Sequence, residues 1–122
     1  MKVFQSYPAE NKLLHMDIRP ENILFKNRQI VGLFDWTNAL VGDPVLELMR
    51  INEYGCLSDE FIDHYDGFEK EINRVPDLVR WLYQLDTSLM LTLLFEELGE
   101  KSQGSRALKR FAHLHGKIMK AL

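Results

Sequence analysis

The chain has 122 residues, 46% apolar and 27% charged, a composition that fits one soluble globular domain with a modest core and excludes a disordered chain. Its formal net charge of -3 gives no whole-chain attraction for nucleic acid or a membrane surface, so neither is expected as a partner. The single Cys56 excludes an internal disulfide and a Cys-x-x-Cys metal pattern, and with no apolar leader in Met1–Tyr7 and no run of roughly 18 apolar residues, a cytoplasmic protein is expected.

In chain order, the first feature is LLHMDIRPENILF (residues 13–25), where His15, Asp17 and Asn22 form a polar island between apolar flanks. Ile23 to Phe25 and Ile30 to Phe34 are short β-prone runs around a polar connector, Lys26 to Gln29, and predict two antiparallel strands. Asp43-Pro44 predicts a helix start, with an N-cap residue followed by proline at the first helical position. Ser58 with Asp59 and Glu60 opens another helix, on which Phe61, Ile62, Tyr65, Phe68 and Ile72 recur at helical spacing; Gly67 is expected to weaken it without ending it. Pro76-Asp77 begins the longest helix, running to Gly99, and its stretch LMLTLLF (89–95) predicts a place at the centre of the core. Ser102 to Ser105 reads as a linker before a last amphipathic helix carrying Leu108, Phe111, Leu114, Ile118 and Leu122. The expected fold is α+β, mainly helical with a small β-hairpin, in a single domain over 1–122: residues 1–42 carry the polar island and hairpin, and 43–122 are helical.

The chemistry lies in the order His15-x-Asp17-x-x-x-x-Asn22, hairpin, Phe34-Asp35-Trp36, because the expected hairpin would bring Asn22 and Asp35 close together. Phosphoryl transfer from a nucleotide needs a carboxylate at the attacking hydroxyl and hard oxygen ligands for magnesium, and Asp17, Asn22 and Asp35 are residues of those kinds. Protein kinases carry H-R-D-L-x-x-x-N and D-F-G with the same five-residue step from Asp to Asn. Met16 replaces the arginine of that pattern, and Asp35-Trp36 replaces Asp-Phe-Gly.

The stretch HMDIRPENILFKNRQIVGLFDWTNALVGDPVLEL, His15 to Leu48, resembles the aminoglycoside phosphotransferase and choline-kinase-like superfamily, with its H-G-D-x-x-x-x-N, I-D-W and G-D-P motifs. The resemblance implies the C-terminal lobe of a protein-kinase-like fold and an ATP-dependent small-molecule phosphotransferase that acts on a hydroxyl of an amino sugar, amino alcohol or related metabolite. It makes Asp17 the catalytic aspartate that orients the acceptor hydroxyl. Asn22 and Asp35 become ligands of Mg2+, with ATP or another nucleoside triphosphate as donor, and Arg19 a contact of the γ-phosphate. His15 becomes a structural residue holding the loop against the strand that delivers Asp35. Met16 stands where the family usually has glycine. Asp43 is expected to cap the helix that follows it.

The remaining polar features read plainly. Trp36 is expected to pack rather than stack on a base, and His64, His113 and His115 have no metal-ligand spacing. The acidic run Asp59, Glu60, Asp63, Asp66, Glu69 and Glu71 reads as a solvated face in preference to a wall for cationic substrates. The basic residues of the last helix read as a wet face. Only fourteen residues precede His15, with no glycine before Gly32, so an N-terminal lobe with its phosphate-covering loop is expected to be absent from this chain. That leaves a piece of a longer protein, a gene remnant, or a lobe that works with another chain, with little transfer activity expected of the chain alone. The alternative function is a non-catalytic kinase-like remnant serving as a protein-binding or scaffold module. Apolar surface above the hairpin makes self-association an expectation in either case.

Overall fold

The computed structural model describes residues 7–122, so Met1 to Ser6, which formed most of the stretch inspected for a leader, lie outside the described residues. Strands come first, in two antiparallel pairs. β1 (Lys12–Leu14) pairs with β4 (Leu40–Gly42), placing Leu13 opposite Val41, and β2 (Ile23–Lys26) pairs with β3 (Gln29–Leu33), placing Ile23 opposite Leu33. The β2–β3 hairpin is the predicted one, with its connector shortened to Asn27 and Arg28. Both have positive φ, 50° and 61°, as a two-residue turn matched to the strand twist requires. The β1–β4 ladder adds to the single hairpin expected. It brings the two ends of the segment 15–39 together, so the polar island and Phe34-Asp35-Trp36 lie inside one closed loop.

α1 (Pro44–Glu53) begins as predicted: the Asp43 carboxylate accepts from the Val45 N–H at 2.9 Å and proline takes the first helical position. Val45, Leu48 and Met49, spaced i, i+3, i+4, form the core with Val75 and Val79, and Phe61, Tyr65, Phe68 and Ile72 pack around them. Those four were predicted as one helical stripe, but the helix is broken. α2 (Asp59–His64), capped by the Ser58 hydroxyl, ends at an extended Tyr65, and Gly67 at φ 74° starts α3 (Phe68–Asn73). Glycine enters this left-handed conformation without a steric penalty, so it turns the chain where it was expected only to weaken the helix.

α4 (Asp77–Glu97) ends at Gly99, φ 73°, and α5 (Lys101–Ala121) packs alongside it. The expected linker 102–105 lies within α5, because Gly99 and Glu100 already make the turn and the helix resumes at Lys101. α4 was expected to be central on the strength of its run 89–95, but that run is not the part it buries. α4 buries Val79, Thr87 and Ser88, whereas Leu89, Leu93 and Leu94 are 44%, 58% and 40% exposed. One side of α4 meets α1 and α5, and hydropathy alone does not choose that side. Among the described residues, no helix is long and apolar enough to cross a membrane.

Candidate active site

The loop that carries Asp17 leaves β1 through Met16, a buried residue with φ 67°. A non-glycine residue in the left-handed region costs about 1–2 kcal/mol, so its surroundings must hold it there. α1 does so. The Glu47 carboxylate accepts from the backbone N–H groups of His15 and Met16, at 2.8 and 2.7 Å, and the Arg50 guanidinium donates to the Met16 carbonyl at 3.1 Å. Glycine adopts this conformation freely, so methionine in the family's glycine position leaves the loop path open while adding a buried side chain.

His15 lies between the loop and the strand that leads to Asp35. Its Nδ1 faces the Asp17 N–H at 3.1 Å and its Nε2 faces the Phe34 carbonyl at 2.6 Å. An N–H can only donate and a carbonyl only accept, which makes Nδ1 the acceptor and Nε2–H the donor. The Phe34 N–H in turn donates to the Asn22 carbonyl at 2.8 Å. Phe34 is thus gripped by both His15 and Asn22, and Asp35 is the next residue. Trp36 packs edge-on to His15, with ring centroids 4.6 Å apart, and its indole N–H donates to the Leu33 carbonyl.

Asp17 and Asn22 are buried and joined. The Asn22 amide nitrogen donates to the Asp17 carboxylate Oδ2 at 2.8 Å and to its backbone carbonyl at 2.9 Å. With that nitrogen engaged on Asp17, the other end of the amide, Oδ1, is a hard oxygen donor. The Tyr54 hydroxyl donates to Asp17 Oδ1 at 3.3 Å, and Arg19 Nε approaches the same oxygen at 3.1 Å. Arg19, expected at a phosphate, therefore rests on Asp17, with its two Nη groups beyond that contact. Burial foremost, and then the charge of Asp17, raises the Tyr54 phenol above its ordinary pKa, so it remains a donor.

Asp35 is exposed, with φ 56°, and both the hydroxyl and the N–H of Thr37 donate to its Oδ1. These bonds hold its carboxyl below the ordinary carboxylate range, with smaller electrostatic contributions from His15 and Arg19. Among the described residues no three His, Cys, Asp or Glu side chains form a metal-holding group. The candidate donors are instead the Asn22 amide oxygen and the Asp35 carboxylate. That pair suits magnesium, which keeps several waters and takes its other ligands from substrate phosphates.

Asp43 does more than cap α1. Arg74 donates to both its carboxylate oxygens, at 2.7 and 3.0 Å, as well as to Glu71 and to the Pro8 carbonyl. The Asp43 carboxylate first, and then that of Glu71, hold the Arg74 guanidinium above its already high pKa. Glu71 of the acidic run is thus an ion-pair partner, while Asp59, Glu60, Asp63, Asp66 and Glu69 are exposed. Sequence reasoning missed Glu47, Arg50 and Tyr54. Their i, i+3, i+7 spacing puts them on one stripe of α1, and polar residues interleaved with a core stripe were the available signal. Beside Tyr54 a cleft of about 360 Å³ opens between α1, α4 and α5, with walls that include Glu53, Ser88, Phe95, Arg106 and Arg110.

The uncharacterized protein YcbJ of Bacillus subtilis (strain 168) is 39% identical over 44 residues, covering 35% of this chain and 14% of that protein. The chain therefore spans about a seventh of the length of the curated relative it matches. No solved structure matches. A family model described as a phosphotransferase enzyme family matches residues 3–82, more than half of the chain and the whole of the catalytic loop, hairpin and α1. The chain belongs to the phosphotransferase enzyme family.

Proposed function

We propose that this chain is the catalytic and metal-binding lobe of an ATP-dependent small-molecule phosphotransferase acting on a hydroxyl of an amino sugar, amino alcohol or related metabolite. The observation that carries the reading is the double grip on Phe34, which ties Asp35 to Asn22 and His15 while the Asn22 amide orients the Asp17 carboxylate. Asp17 orients the acceptor hydroxyl and takes its proton as the hydroxyl oxygen attacks the γ-phosphorus. The bond to the β,γ-bridging oxygen breaks, and the diphosphate leaves. Asn22 and Asp35 would hold magnesium, which when bound would neutralise charge on the nucleotide phosphates. Arg19 keeps Nε on Asp17 and offers Nη groups to the phosphate, and Tyr54 steadies Asp17. We assign the acceptor to the cleft beside Tyr54, because Tyr54 both lines it and touches Asp17.

Calorimetric titration with Mg-ATP tests this reading, run beside Asp35→Ala and a magnesium-free control. Weak magnesium-dependent binding, with little transfer activity, is expected in the native chain, and no binding in the variant, with an unchanged helical circular dichroism spectrum. Equal binding by both would refute the metal assignment. A second reading, a binding or scaffold module, is favoured by the exposed apolar side chains of the strands, Leu13, Phe25, Ile30, Val31 and Val41. Concentration-dependent dimers in sedimentation, without nucleotide binding, would support that module instead.

A further inference from the structure

We infer that Arg50 is a positioning residue that fixes the peptide plane from which Asp17 springs and couples it to α4. The inference deepens the phosphotransferase reading and rests on it for the role of Asp17. The carbonyl of Met16 and the N–H of Asp17 belong to one peptide group, which is planar and moves as a unit. Arg50 Nη1 holds the carbonyl end at 3.1 Å, and His15 Nδ1 holds the N–H end at 3.1 Å. A plane held at both ends resists rotation, so the N–Cα bond from which the Asp17 side chain departs is set before any substrate arrives.

The other contacts of Arg50 point to α4. Its Nη2 donates to Asp86 Oδ2 at 3.1 Å and its Nε to the Thr87 hydroxyl at 3.3 Å. One guanidinium thus joins the loop, α1 and α4, and its fork of fixed donors suits three acceptors in different directions. Arg50 is only 9% exposed, on a helix whose neighbouring side chains Met49 and Ile51 are core residues. Burying a cation is unfavourable, and a well-packed apolar side chain there is often as stable or more so. A role in packing alone does not account for the charge; the Met16 carbonyl does. With Met16 in the left-handed conformation, that carbonyl is turned toward α1, where Arg50 is its donor.

The test is amide hydrogen exchange by NMR, together with the 15N signals of the His15 ring, on the 122-residue chain and its Arg50→Met and Arg50→Lys variants. In the native chain the Asp17 amide should exchange slowly and His15 should show a single tautomer, protonated at Nε2. Arg50→Met should speed Asp17 exchange about tenfold, as for one lost charge-assisted hydrogen bond, and mix the tautomers, while the Val79 amide in the core keeps its native rate. Arg50→Lys should restore part of the protection. Native Asp17 exchange and a native His15 signature in a folded Arg50→Met variant would overturn the inference.

Should Arg50→Met fail to fold, Asp86→Asn carries the test, because it leaves the guanidinium in place and alters only a tether whose side chain is 64% exposed. About threefold faster Asp17 exchange is then expected from the weakened coupling to α4, and no change would overturn it. Neither readout uses nucleotide. Failure of the native chain to bind Mg-ATP therefore counts, separately, against phosphotransfer by this chain on its own.

Discussion

Met16→Ala and Met16→Gly, measured side by side, separate the two effects that meet at the start of the catalytic loop. The Met16 side chain is 2% exposed, so truncating it removes a buried methionine, which costs about 3 kcal/mol in a packed interior. Its φ of 67° penalises any residue with a Cβ, alanine included, by about 1–2 kcal/mol. Glycine escapes that penalty and gives back about 0.4–1 kcal/mol through the greater freedom of its unfolded chain. The alanine variant should therefore lose about 3 kcal/mol and the glycine variant about 2 kcal/mol. With a urea slope of about 1.5 kcal/mol per molar, the midpoints should fall by about 2 M and about 1.3 M. Urea unfolding followed by circular dichroism reads both, and an unchanged slope keeps the comparison on the folded state. An alanine variant as stable as the glycine variant would refute the left-handed assignment. Native stability in both would refute the burial.

At the Asp43 cap, Asp43→Ala removes an N-cap worth about 1 kcal/mol and strips a mostly buried Arg74 of one of its two carboxylate partners, adding about 2 kcal/mol. A thermal double-mutant cycle with Arg74→Met should show the two losses to be less than additive, and full additivity would mean that the ion pair contributes nothing. Tyr54 gives a pH signature. Its folded pKa lies above the unfolded value of 10.0, so the stability it contributes is complete below pH 10 and is lost as pH rises through the folded pKa. Tyr54→Phe should flatten stability across that alkaline window. Asp17→Asn should lower the Tyr54 midpoint in an ultraviolet titration, and an unmoved midpoint would argue against the Tyr54–Asp17 contact.

The parts of the fold readable in advance were those written in local chemistry. Asp43-Pro44 marks its helix start with a cap and a ring, and Ile23 to Phe34 alternates strand, turn and strand within reach of one hairpin. The site was readable for a related reason: His15, Asp17, Asn22 and Asp35 keep fixed spacing around that hairpin. β1 and β4 were not foreseen, because three-residue strands carry no periodic signal and depend on partners far apart in the chain. Gly67 showed the flexibility to break a helix, but the break itself depends on how Tyr65 and Phe68 fold back onto the core. Glu47, Arg50 and Tyr54 were hidden for a similar reason, since their partners are backbone atoms and the Asp17 carboxylate of the loop and, for Arg50, also Asp86 and Thr87 of α4, all distant in the chain. The contact of Arg19 with Asp17 joins residues two apart in the chain, but nothing in their spacing says that Arg19 turns to its neighbour's carboxylate.

The pairing of Lys12 with Gly42 means that the chain enters and leaves the catalytic segment at the same point. What happens at the far end of the excursion is then mechanically separate from how the segment is mounted on the helices. Extra residues inserted between Asn27 and Arg28 would lengthen a tip whose closure cost grows by only about 0.6 kcal/mol per doubling of length. The same insertion between His15 and Asn22, or between Asp35 and Leu40, would push apart groups whose bonds define the site. The hairpin tip is thus the place where this architecture can accept a graft, such as a peptide tag, a fluorophore anchor or a natural extension, while the catalytic loop keeps its shape.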